Sequence, residues 1–217
     1  VKVVLASIAS VSRMDMITRT PVDAEGTKVK MEGGTLLSVE PAGGPAGTTF
    51  VVRDLFYNTP ARYKFLKKDA TEAARVEDVM ERLALAHPDV AMQLVSGGET
   101  VLRTPGNGDL ASAIYALYGR QTAEALLPLT LEQEGIRVSG FVGRPAIARG
   151  NRARQTFLMN GRVIRSATLT AALDEGFRTL LMTRQYAFAV LVLEIPPLRV
   201  DVNVHPDRKS TRLNSSH

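Results

Sequence analysis

The stretch GTTFVVRDLFYNTPARYKFL, residues 47–66, sets the reading of the chain on either side of it. Thr48 to Arg53 is a run of β-branched and aromatic residues that reads as a strand. The turn Asn58-Thr59-Pro60 ends it before a basic, helix-compatible segment. At the strand entrance, Gly47 permits close backbone approach and Thr48 adds a hydroxyl donor. Such a corner can bring N–H and O–H groups to an anion, or can simply be a turn into a buried strand.

Upstream, Leu5 to Val11 has the small and apolar spacing of a packed helix end, and Met14, Met16 and Thr18 alternate as in a strand. Thr27 to Glu32 and Thr35 to Glu40 are alternating runs joined by Gly33-Gly34, which predicts a two-residue hairpin. Pro41 to Gly47 reads as a loop into the organising strand, so the simplest assembly is an antiparallel meander. Downstream, Asp69 with Glu72 three residues later predicts a capped helix. Val76, Val79, Met80 and Leu83 continue it until Pro88, as a long helix lying on the sheet with a solvated charged face. Val90 to Arg103, with Ser96-Gly97-Gly98-Glu99 at its centre, reads as a further hairpin.

Thr104 to Gly108 combines helix and strand breakers, which predicts a first domain over 1–104, a linker over 105–108 and a second domain over 109–206. The second domain opens with a helix from Asp109 to Tyr118 closed by Gly119. Strands follow at Ile136 to Val142 and Gln155 to Met159, and Asn160-Gly161 is the strongest hairpin signal in the sequence. Ser166 caps a helix with Leu169, Leu173, Phe177 and Leu180 on one face, and Tyr186 to Ile195 reads as a strand buried on both faces. Strand, helix and strand in this order imply a right-handed β-α-β crossover. Val200, Val202 and Val204 alternate as a last strand, and residues 207–217 are polar, without periodicity, and expected to be disordered.

The 217 residues, 45% hydrophobic, suffice for one large or two small cores. There are no cysteines, which excludes disulfides and thiolate metal sites, and His87, His205 and His217 are too scattered for a zinc cluster. A membrane span and a secretory leader are not legible, so the expected compartment is the cytoplasm. The net charge of +5 is compatible with a polyanionic partner. Arg149, Arg152 and Arg154 crowd one loop and Arg162 and Arg165 flank the next hairpin, a pattern that can bind DNA phosphates without reading sequence, or can be a merely soluble loop. The chain begins with Val inside an apolar segment, as a piece of a longer protein would.

LFYNTPAR with its following Lys/Phe/Leu run, LMNGRVIRS and VDVNVHP resemble the MutL family of DNA mismatch repair proteins from Leu5 to Pro206. The resemblance implies an α+β fold: the distal half of a GHKL-type α/β sandwich followed by a small ribosomal-protein-type α/β domain. It also implies a nucleotide site to which Leu5, Gly47 and Thr48 contribute, with Arg208 at the position of a lysine near the γ-phosphate. An arginine there would exchange a point charge for a planar fork. ATP and Mg2+ are the implied cofactors of the intact protein. The acidic base, magnesium ligand and lid lie upstream of Leu5 in the family, so no catalytic residue is assigned and this piece is expected not to retain the nucleotide. The implied partners are DNA, a MutS-type mismatch-recognition protein, the nuclease and helicase of the pathway, and a second copy joined on ATP binding.

The residues leave two other readings open: another GHKL enzyme of type II topoisomerase kind, and a basic nucleic-acid-binding module indifferent to ATP. Asp174-Glu175 and Glu132-Gln133-Glu134 are read as solvated charge rather than a nuclease site, and His205 as structural.

Overall fold

A computed structural model describes residues 2–196, and the chain divides into two units, the second beginning at Ala73. The strand expected at 200–204, the 207–217 tail, His205 and Arg208 lie outside the described residues.

The first unit opens with helix α1 (Lys2–Ala9), followed by strands β1 (Arg13–Arg19), β2 (Gly26–Glu32), β3 (Thr35–Ala42) and β4 (Gly47–Arg53). Gly33 and Gly34 both take positive φ and close the β2–β3 hairpin, as two-residue turns of this kind require. The sheet order is β3-β2-β1-β4, all antiparallel. The expected meander therefore holds for β1 to β3 only. After β3 the chain returns to pair β4 with the free edge of β1, since β2 already occupies the other edge. Pro41, expected in the loop, pairs with Thr27 on the outer strand β3, where a missing N–H can face outward.

Opposed residues in a sheet share a face. Met14 stands opposite Val52 and Met31, Met16 opposite Phe50 and Val29, and Val29 opposite Val39, so these side chains form one apolar face. Of them only Met14 is buried, while Phe50, Val52 and Val39 are exposed.

Beyond β4 come the short helix α2 (Pro60–Tyr63), with proline in its first turn, and the long helix α3 (Asp69–Ala86). Asp69 is not the cap of α3. Glu72 N–H donates to Lys68 O, which places the cap at Lys68, and Glu72 reaches back to accept from Lys67 N–H at 2.9 Å. The division between the units falls in the first turns of α3.

The second unit adds the hairpin β5 (Gln93–Ser96) and β6 (Glu99–Arg103), helix α4 (Leu110–Glu124), strands β7 (Leu126–Gln133) and β8 (Ile136–Gly143), β9 (Gln155–Met159), β10 (Arg162–Ile164), helix α5 (Ala167–Gly176) and β11 (Ala189–Glu194). The strands β10-β9-β11-β8-β7 form one sheet in that order, with β9 and β11 parallel and α5 on the path between them. Strand β7 has no counterpart in the sequence reading, because Pro128 interrupts its leucines; it lies at the sheet edge, where proline is tolerated.

Asp109 caps α4 by accepting from Ala111 and Ser112 N–H, and the Ser112 hydroxyl first, then those N–H bonds, hold its carboxyl below the usual range. Gly119 breaks the helix with φ 79 and ψ 174, and a further turn continues to Glu124. The alternate residues of β11 enter two cores. Val190, with Phe188 just before the strand, meets Leu85, Ile114 and Leu158, whereas Ala189, Leu191 and Leu193 meet Phe157, Leu169 and Leu173. Leu180, expected on the buried face of α5, is exposed beyond the helix end.

The 105–108 stretch is packed within this unit. Thr104 is buried, Gly108 N–H donates to Pro88 O, and a Cβ on Gly106 would stand 2.2 Å from Ala91 N.

Candidate nucleotide corner and arginine loop

In the first unit, Gly47 opens β4 with φ 132, and nothing lies within 4 Å of where its Cβ would be. Thr48 faces Thr18 on β1, and the two hydroxyls share a 2.8 Å hydrogen bond. The corner thus has an open backbone approach and a hydroxyl pair, the donor set suited to a phosphate edge. Leu5 lies half-buried on α1. Among the described residues no hydrogen bond joins it to Gly47 or Thr48, which sit at the opposite end of β1 from the α1 junction.

The LFYNTP segment has a role the sequence reading missed. Asp54 (φ 51) and Phe56 (φ 68) are both held at positive φ, a costly conformation for non-glycine residues. The turn they make grips the carboxy-terminal end of α1: Phe56 N–H donates to Val11 O at 2.7 Å and Asn58 Nδ2 donates to Ser10 O at 2.9 Å. Gly34 N–H donates to Ala9 O, so the β2–β3 hairpin ties into the same junction. Arg13 braces it, donating to Asp54 at 2.7 Å and Glu32 at 3.0 Å with its guanidinium over the Tyr57 ring. Its pKa is raised by those two carboxylates, Asp54 first.

In the second unit, the β8–β9 connection carries the arginines. Arg152 and Arg154 each lie over a tyrosine and hold a carboxylate. Arg152 stacks 3.9 Å from the Tyr186 centroid and donates to Asp174 through Nη2 at 2.7 Å and Nε at 3.1 Å. Arg154 stacks 4.2 Å from the Tyr118 centroid and pairs with Glu81 at 2.8 Å. Tyr118 also donates to Glu81 at 3.3 Å and meets Phe188 edge-to-face. Burial first, then the charge of Glu81, pushes its phenol up to about 12. Glu81, expected on a solvated helix face, is therefore an anchor for the loop.

These clamps fix the loop on both flanks, with Arg149 paired to Tyr186 through its backbone. Arg149, Arg162 and Arg165 are exposed and form no ion pair among the described residues. The structure thus separates the five sequence-predicted arginines into two that brace the loop and three that have no ion pair among the described residues. Asp174 and Glu175 are the partners of Arg152 and Arg178. Among the described residues no group of three His, Cys, Asp or Glu stands together as a metal site, and no helix is long and apolar enough to cross a membrane.

These two units, an antiparallel sheet with a Gly-Thr corner and a mixed sheet with a β-α-β unit, make an α+β fold of the kind found in MutL ATPase domains. The fold matches the Aquifex aeolicus MutL ATPase domain complexed with ADP with a TM-score of 0.72 and 31% identity, covering 91% of this chain and 73% of that one. The family description "DNA mismatch repair protein, C-terminal domain" matches residues 114–217. DNA mismatch repair protein MutL of Symbiobacterium thermophilum is 46% identical over 208 residues, and that of Shouchella clausii 46% over 210. These alignments cover 96% and 97% of this chain but 33% and 32% of the relatives. The chain belongs to the MutL family of DNA mismatch repair proteins. It spans about a third of the length of the curated relatives it matches.

Proposed function

We propose that this chain is the part of a MutL-type mismatch repair protein that joins one wall of the ATP site to a DNA-contacting surface. The observation that carries this reading is the Gly47-Thr48 corner, with its open approach and hydroxyl pair, in a chain that matches an ADP-bound MutL ATPase domain over nine-tenths of its length. Gly47 and Thr48 would hold a phosphate edge through a backbone N–H and a hydroxyl, and Leu5 would line the nucleotide. Arg208 would supply the cation toward the γ-phosphate. The nucleotide supplies the bond whose cleavage resets the protein, with Mg2+ neutralising its phosphates. Residues upstream of this chain would provide the base, the metal ligand and the lid, so the chain alone would not retain the nucleotide.

Arg149, Arg162 and Arg165 would contact DNA phosphates, with Arg152 and Arg154 positioning the loop that bears Arg149. Closure of two copies on ATP would be a population shift driven by nucleotide, and would pass the mismatch signal from a MutS-type partner to the nuclease and helicase. The test is equilibrium binding of a fluorescent ATP analogue with magnesium, comparing this chain with one extended by a MutL-type amino-terminal segment. Binding by the extended chain only is the expected result. A folded extended chain that fails to bind would overturn the ATP assignment and favour the ATP-independent DNA-binding module.

A further inference from the structure

Strand β10 is short. It covers β9 only from Phe157 to Met159, and beyond Ile164 the chain turns away through Arg165 and Ser166 into α5. The edge of β9 at Gln155 and Thr156 is therefore left without a β10 partner. At that place a cavity of about 520 Å³ opens between β9, β10 and α5, within the range of roughly 300–1,000 Å³ usual for small-ligand sites. Its lining has two characters. Phe157, Ile164 and Ala171 give it an apolar part, while Arg82, Arg152 and Arg165 also line it, with Asp174 the one lining carboxylate among the described residues.

The charges are unevenly spent. Arg82 is paired with Asp78 at 2.8 Å and Arg152 with Asp174, but Arg165 has no ion pair among the described residues. It precedes Ser166, whose hydroxyl is occupied by Leu169 N–H, while the first-turn N–H groups of α5 have no acceptor within the helix. Two polar side chains lie at the uncovered β9 edge. Thr156 is 95% buried. Gln155 holds Asp174 through Nε2 at 3.3 Å and keeps Oε1 buried without a donor. A ligand that satisfies this lining is anionic at one end, flat and weakly polar at the other, and bears both hydrogen-bond donors and acceptors.

We propose that this cavity takes one unpaired nucleotide of a single DNA strand, with its phosphate on Arg165 and its base against the apolar part beside Gln155 and Thr156. The proposal rests on the DNA-binding reading given above and narrows it. Arginine and N–H groups recognise phosphate in either strand form, but a duplex keeps its bases stacked inside and offers only its backbone ridge. Only a nucleotide released from the stack fills a cavity with an apolar part.

Fluorescence anisotropy with the whole chain, a labelled single-stranded oligothymidylate and a duplex of equal length tests it. Ala171→Phe fills the cavity from an exposed helix position without removing a charge. It is expected to weaken single-strand binding about tenfold and to change duplex binding less than twofold. Ala167→Phe, from a second exposed lining position of α5, is expected to show the same strand preference and keeps the test decisive if the first variant folds poorly. Thymidine monophosphate is expected to compete with the single strand, and phosphotyrosine is not. Equal losses for both DNA forms, no loss with either variant, or competition by phosphotyrosine alone would overturn the cavity assignment while leaving DNA binding intact. Failure of the unaltered chain to bind either DNA would instead overturn the DNA-binding reading itself.

Discussion

The two sheets of this molecule solve the same problem differently. In the second unit β11 is covered on both faces from Ala189 to Leu193, and Val190 is only 1% exposed. In the first unit the apolar face of the β3-β2-β1-β4 sheet is largely bare, and Val39 on β3 is 58% exposed. A sheet face of this composition gains free energy only when it is removed from water, at about 25 cal/mol per Å². The second unit supplies its own cover. The first spends its interactions instead on a junction, where Arg13, Asn58 and Phe56 fix the end of α1 against a strained turn.

The sharpest way to break this contrast is to truncate a leucine in each unit. Leu158→Ala, at a position 2% exposed, is expected to cost about 2–5 kcal/mol in the urea unfolding of the second unit. Leu36→Ala, at a position 56% exposed, is expected to cost under about 1 kcal/mol. Similar costs would show that the first sheet is covered after all.

A smaller effect probes the 105–108 stretch. Gly106 has φ +68 and its added Cβ would strike the Ala91 backbone, so Gly106→Ala is expected to destabilise by about 3 kcal/mol. Gly108→Ala meets nothing within 4 Å at φ +79, and is expected to cost only about 1 kcal/mol. Thermal unfolding of the two variants checks this. Equal tolerance would fit a free linker at 105–108.

The pH dependence gives the next effect. The Tyr118 phenol is raised to about 12 in the folded chain, so between about pH 10 and 12 the unfolded state loses a proton that the folded state keeps. Stability contributed by this group is complete below pH 10 and falls as pH rises through that window, by about 3 kcal/mol. Tyr118→Phe is expected to flatten the decline in urea midpoints measured across the window. The smallest expected effect is at Arg120–Glu124, an exposed pair four residues apart on a helix, where Arg120→Ala should change the melting free energy by less than about 0.5 kcal/mol.

Much of this fold is legible from local chemistry. Gly33-Gly34, Asn160-Gly161, the Asp109 and Ser166 caps and Gly119 each act within a few residues, and each lies where its turn or helix end does. What was not legible depends on distant partners. The sequence shows Gly47 and Thr48 as a corner, but Thr18 as the second hydroxyl follows only from the β1–β4 register. It groups five arginines by proximity, but Arg154 is spoken for by Glu81, 73 residues away in sequence. A tyrosine at the end of an apolar helix such as Tyr118 could have marked that partner, since a buried phenol seeks a hydrogen bond. Strand β7 was hidden by Pro128, whose tolerance depends on an edge position that only the assembled sheet defines.

Hydrogen exchange of the 217-residue chain, with and without single-stranded DNA, tests the account most directly. The free chain is expected to protect β9 and β11 by orders of magnitude more than β3 and β4. DNA is expected to add protection at 149–154 and 162–167 and none at 47–53. Equal protection of the two sheets, or a DNA footprint on Gly47 to Arg53 in place of the arginine loop, would contradict the proposed division of this chain into a self-covered unit that contacts DNA and an open unit that bears the nucleotide corner.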